Sequence, residues 1–136
     1  MAREDLYKHT GISIDRVDHI VLTVRDIEAT VTFYASVLGM EKVEFGPGRV
    51  ALKFGRQKIN LHQAGKEFKP NAQNPTPGSA DLCFITETSL HETMDYVKNK
   101  GIEIIEGPVK RTGAHGPISS FYFRDPDGNL IEVSVY

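Results

Sequence analysis

Short apolar runs separated by polar breaks recur along this chain, and their order is the same in its two halves. Residues 17–24 (VDHIVLTV) are β-branched and apolar, the composition of a strand. Ile27, Val31, Tyr34 and Leu38 then recur at helical spacing, which predicts a helix to about Leu38 with Asp26 as its N-cap and Gly39 just past its end. Strands are predicted over 41–45, 49–54 and 58–63, separated by the turn signals Gly46-Pro47-Gly48 and Gly55-Arg56-Gln57. The second half predicts a strand at 80–86 and a helix from about Leu90 to Lys100, capped by Thr88 or Ser89. Strands at 103–106, 118–124 and 130–135 complete it, with Asp125-Pro126-Asp127-Gly128-Asn129 as the turn before the last.

The order is therefore βαβββ twice. Sliding the segment from His19 onto that from Asp81, an offset of 62 residues, pairs His19 with Asp81, Tyr34 with Tyr96 and Gly39 with Gly101. The expected layout is a polar leader over 1–15, a first module over 16–64, a linker over 65–79 and a second module over 80–136, the modules together making one domain. Three prolines and two glycines mark the linker.

Strand alternation sends neighbouring side chains to opposite faces of a sheet. Ile20, Leu22, Val24, Ile59, Leu61, Leu82, Phe84, Ile131 and Val133 fall on faces that suit packing against the helices. His19, Asn60, His62, Asp81, Cys83 and Glu132 fall on the opposite faces, in mid-strand. A glutamate between Ile131 and Val133 is costly unless it is paired or metal-bound. An ion pair with Arg49, Arg111 or Arg124 is the plain alternative to a ligand role.

Composition narrows the function classes without choosing one. A net charge of −2 argues against a duplex-binding protein, which usually carries a basic stripe. No apolar run is long enough to span a bilayer. Met1 to Ser13 has no apolar core of a secretory signal, and the lone Cys83 has no internal partner, so a cytoplasmic setting is expected. Cys83 reads as a small buried filler, His9 as part of the leader, and His91 as a residue of a solvated helix face. Lys110 to Pro117 (KRTGAHGP), with two glycines, two adjacent cations and His115, reads either as a mobile lid that meets an anionic substrate or as an ordinary solvated loop.

VDHIVLTVRDIEATVTFYASVLGME and FYFRDPDGNLIEV resemble the opening and closing signatures of the vicinal oxygen chelate superfamily. That group includes glyoxalase I, methylmalonyl-CoA epimerase, extradiol dioxygenases and bleomycin-resistance proteins. The resemblance covers about residues 15–136, and KINLHQAGKEF through PTPGSADLCFI further resembles the lactoylglutathione lyase-like subgroup that contains glyoxalase domain-containing protein 5. It implies an α+β fold in which two βαβββ modules curl into a cup-shaped eight-stranded sheet with helices outside, usually in a homodimer. A divalent metal in the cup chelates adjacent oxygens of a small substrate.

Carried over residue by residue, the ligands drawn from the first and last strands of each module fall on His19 and Glu132, with Asp81 where the family typically has histidine. The remaining ligand falls near Asn60, with His62 two residues along on the same face and the better metal-binding type. The implied set is His19, His62, Asp81 and Glu132, binding nickel, zinc, manganese or iron, with Glu132 as catalytic base and Asp81 as second choice. The expected activity is that of a glyoxalase I-type lyase or isomerase acting on a 2-oxoaldehyde–thiol adduct. A metal-free drug-binding protein is the alternative. An extradiol dioxygenase is disfavoured, because Asp81 breaks its two-histidine, one-carboxylate triad.

Overall fold

The computed structural model describes residues 11–136. His9 and most of the leader fall outside them. The elements are β1 (His19–Val24), α1 (Ile27–Leu38), β2 (Glu41–Phe45), β3 (Arg49–Phe54), β4 (Gln57–Gln63), β5 (Asp81–Ile85), α2 (Leu90–Asn99), β6 (Glu106–Gly113), β7 (Gly116–Arg124) and β8 (Leu130–Val135). The fold is α+β, with βαβββ used twice. Among the described residues no helix is long and apolar enough to cross a membrane.

Local chemistry sets the helix ends. The Asp26 carboxylate accepts from the Ala29 N–H at 3.1 Å, satisfying one of the donors that the first turn of α1 leaves open. Gly39 ends α1 in the left-handed region at φ 68°, where a side chain would be strained. Ser89, not Thr88, caps α2, its hydroxyl accepting from the Glu92 N–H at 3.2 Å.

The eight strands divide into two four-stranded sheets, ordered β1-β4-β3-β2 and β5-β8-β7-β6. In each, the first and last strands of a module run parallel side by side, and the remaining pairs are antiparallel. The apolar faces enter one continuous core. Leu22, Val24, Leu52, Ile59 and Leu61 come from the first sheet, Phe121, Phe123, Ile131 and Val133 from the second, and Val31, Tyr34, Val37, Met94 and Val97 from the helices. Phe33 of α1 lies 6.2 Å from Phe123, and Phe54 meets Phe84 edge-on at 5.3 Å, so each module packs on the other. Because both apolar faces are spent on this core, both polar faces point away from it.

Two expectations need correction. The strand placed at 103–106 lies instead at Glu106–Gly113, and residues 102–105 have no regular structure. The apolar alternation of Ile102 and Ile104 is used to pack both side chains against the core without sheet pairing. Lys110 to Pro117 is solvated, as one reading had it, but it is paired strand and turn and not irregular loop. It is the tip of the β6–β7 hairpin, with Lys110 paired to Ser119 and Gly113 to Gly116.

Candidate active site

Backbone register fixes what each polar face presents. On the first sheet His19 lies beside Lys58, Val21 beside Asn60 and Thr23 beside His62, with Ala51 opposite Asn60 on β3. On the second, Asp81 lies beside Leu130 and Cys83 beside Glu132, with Tyr122 opposite Glu132 on β7. The two faces are related position by position. His19 corresponds to Asp81, and the residue beside the second position onward is Asn60 in one sheet and Glu132 in the other. His62 corresponds to Ser134, one pair further along.

The second face holds its carboxylate with hydroxyl groups. The buried Ser120 hydroxyl donates to Glu132 Oε2 at 2.6 Å, and Ser134 Oγ lies 2.6 Å from Ser120 and 3.3 Å from the same carboxylate oxygen. This half-satisfies a charge that would be expensive on a central strand, while leaving Glu132 partly open to solvent. None of the three arginines weighed against it is its partner: Arg49 meets His62, Arg111 meets Glu106 and Tyr122, and Arg124 meets the Gly128 carbonyl. Cys83 is exposed on this face, not a buried filler, with its sulfur 3.3 Å from Ser134 Oγ. Partial desolvation of the thiol, with Glu132 and Asp81 nearby, raises its pKa and keeps it protonated. A cavity of about 400 Å³ opens here, lined by Cys83, Arg111, Ile118, Glu132 and Tyr136 among others.

On the first face His19 is exposed, and its Nδ1 lies 2.8 Å from Asp18 Oδ2. Among the described residues that contact is the ring's hydrogen bond, and Nε2 has no protein partner. The same hydrogen bond holds the Asp18 carboxyl below its ordinary pKa. His62 is already engaged. It is buried, its Nε2 accepts from Arg49 at 3.3 Å, and its ring meets Phe68 edge-on at 5.6 Å. Burial, then the Arg49 cation, lower its pKa, so it is the neutral imidazole that the arginine requires. Asn60 is the reverse case: its side-chain oxygen is buried, and among the described residues no donor reaches it.

Within one chain the two half-sets stay apart. Among the described residues no three His, Cys, Asp or Glu side chains lie close enough to hold one ion. The Asp125–Asn129 turn is closed to ligands at Asp125, whose carboxylate accepts from Tyr34, the Asp127 and Asn129 N–H groups and the Asn129 side chain. That buried knot fixes the entry of β8 and hence the placing of Glu132.

Two βαβββ modules in one chain are a fold shared with known proteins. A solved structure of an integron cassette protein of V. cholerae is 64% identical, superposes with a TM-score of 0.92, and is matched over 93% of this chain and 99% of that one. Virulence protein STM3117 of Salmonella typhimurium is 58% identical over 96% of this chain and 92% of its own length. The crystal structure of a lactoylglutathione lyase from Agrobacterium tumefaciens shares 28% identity, with a TM-score of 0.68, over 90% of this chain and 94% of that one. With residues 16–133 matching its family description, the chain belongs to the glyoxalase/bleomycin resistance protein/dioxygenase superfamily.

Proposed function

We propose that this protein is a metal-dependent lyase or isomerase of the glyoxalase I type, acting on a 2-oxoaldehyde–thiol adduct in the cytoplasm. Its site is assembled between the first polar face of one copy and the second polar face of another. Members of the superfamily are mostly enzymes and typically use divalent metals. The observation that carries the reading is the positional match between the two faces: His19 and Asn60 on one, Asp81 and Glu132 on the other. Asn60, with its orphaned buried oxygen, replaces His62 in the ligand set, because His62 already serves Arg49.

A divalent ion held by these four residues would polarise the two adjacent substrate oxygens and make the neighbouring C–H more acidic. Glu132 is the base. Its carboxylate takes the proton from the carbon bearing sulfur and delivers it to the adjacent carbon, so the adduct becomes a 2-hydroxy thioester with no atom gained or lost. Ser120 and Ser134 orient that carboxylate. Asp81 is the second carboxylate that a dimer would bring to the same substrate.

The test is metal content followed by turnover. Purified protein is expected to bind nickel, zinc or manganese and to isomerise the methylglyoxal–glutathione adduct, with Glu132→Gln losing about 10²–10⁴-fold. Mixing inactive His19→Ala and Glu132→Gln proteins should restore about a quarter of the activity, since half of the mixed dimers' sites are intact. Unchanged turnover in Glu132→Gln, or no metal bound on reconstitution, defeats the reading.

A further inference from the structure

We propose that the first polar face carries a carboxylate-binding site, built by Arg49 and Lys58 around Phe45, that holds an anionic group of the substrate on the same sheet face as Asn60. The proposal rests on the reading of that face as half of the active site and adds the class of substrate it accepts.

Arg49 and Lys58 come from adjacent strands and converge on one ring. The Arg49 guanidinium carbon is 5.1 Å from the Phe45 ring centre and 4.7 Å from that of Phe68, while Lys58 Nζ is 3.8 Å from the Phe45 centre. Phe45 lies on β2 and Lys58 on β4, so the lysine stem reaches across β3, where Ala51 is the small residue opposite Asn60. Among the described residues neither cation has a carboxylate within ion-pair distance. Among the described residues Arg49 spends one nitrogen on His62, and its other in-plane donors meet no acceptor.

This is an unusual way to leave two charges. Stacking on aromatic rings removes water from the faces of a guanidinium while leaving its N–H edge directed outward, which suits the bidentate grip of a carboxylate. His62 supports the grip, because its Nε2, 3.3 Å from one guanidinium nitrogen, helps set the plane of the fork. The position suits a substrate group as well. Lys58 is the register partner of His19 and stands two residues from Asn60, so the two cations and both residues assigned to the metal share one face of one sheet. The cations of the β6–β7 hairpin are spent differently: Lys110 donates to Ser119 at 2.9 Å, and Arg111 to Tyr122 and Glu106. Anion recognition therefore belongs to the first sheet and not to the segment 110–117 that the sequence singles out.

The experiment is a calorimetric titration of the intact protein with succinate, with its neutral diamide and with inorganic phosphate, at constant ionic strength. Succinate should bind at least tenfold tighter than the diamide and tighter than phosphate. Arg49→Met and Lys58→Met should each weaken it at least tenfold, Arg49→Lys by less, and Lys110→Met should leave it unchanged. Unfolding temperatures confirm that each variant is folded, and Lys58→Met keeps the test alive should Arg49→Met not fold. Equal binding of succinate and the diamide, preference for phosphate, or binding indifferent to both Met variants overturns the proposal. So does a loss of dimer in Arg49→Met with succinate binding intact, which would assign the cations to contact between copies. Glu132→Gln separates the two readings: it should abolish turnover while succinate still binds, so failure of the lyase chemistry and failure of the anion site are seen independently.

Discussion

The Tyr34 hydroxyl donates to Asp125 Oδ2 at 2.7 Å, joining the helix of the first module to the turn that launches β8 in the second. Both residues are buried, and the carboxylate keeps three further protein donors. Tyr34→Phe should therefore cost only about 1–2 kcal/mol, since it removes one donor from an acceptor that stays satisfied. Asp125→Ala should cost more, because it leaves buried N–H groups without a partner. Urea unfolding of the two variants measures the ordering, and equal costs would contradict it.

The same bond predicts behaviour in alkali. Burial, reinforced by the Asp125 carboxylate, pushes the Tyr34 hydroxyl far above its ordinary value of 10.0. The folded state thus holds this proton more tightly than the unfolded state does. The stabilisation is complete below pH 10 and is lost as the pH climbs beyond it, where the unfolded chain ionises first. Unfolding free energy measured from pH 8 to 11 should fall above pH 10, and the fall should be shallower in Tyr34→Phe.

Two glycines of the hairpin strand should differ sharply. Gly107 has φ 128°, and a Cβ there would stand 2.6 Å from the Phe121 Cα and 2.9 Å from the Ser120 carbonyl oxygen. Neither is a side-chain tip that can move aside, so Gly107→Ala should cost roughly 3–5 kcal/mol. At Gly113 a Cβ would meet the Tyr136 hydroxyl at 2.6 Å and Ile118 Cγ2 at 3.0 Å, with no unusual φ. Tyr136 is the half-exposed last residue and can swing away, at the cost of the 2.9 Å bond it accepts from the His115 N–H. Gly113→Ala should therefore lose about 1 kcal/mol, and most of that loss should vanish in a Tyr136→Ala background. Thermal unfolding of the double-mutant cycle decides it.

What the sequence made legible follows from which interactions are local. Asp26 and Gly39 mark the ends of α1 because capping is decided within one turn of the chain. The polar faces are legible because alternation has period two whatever the strand pairs with. Strand β6 is not, since Lys110, Arg111 and Thr112 look like loop and become strand only by pairing with β7. The choice between Asn60 and His62 is a question of register between strands far apart in sequence. The offset of 62 that relates β1 to β5 has grown to 72 between Asn60 and Glu132, so sliding the halves cannot align the last strands. Arg49 reads in the sequence only as a possible partner of Glu132, for the same reason: its partners Phe45, Phe68 and His62 meet only once the sheet and the connection after it are formed.

Replacing His62 and Asn60 in turn should separate packing from ligation. Burial, then the neighbouring Arg49 cation, hold His62 below its ordinary value of 6.5, so the unfolded chain binds this proton more readily than the folded one. The stabilisation is full above pH 6.5 and declines as the pH falls below it. His62→Gln should flatten that acid-side decline while leaving metal affinity near that of the parent, because Nε2 is committed to Arg49 and not to an ion. Asn60→Leu should do the opposite. It removes a buried oxygen that has no donor, so stability should hold or rise, whereas metal affinity should drop about 10–100-fold if that oxygen is the fourth ligand. Melting temperatures between pH 5 and 8, with metal titrations of both variants, check the pair. Loss of metal binding in His62→Gln with none in Asn60→Leu would return His62 to the ligand set.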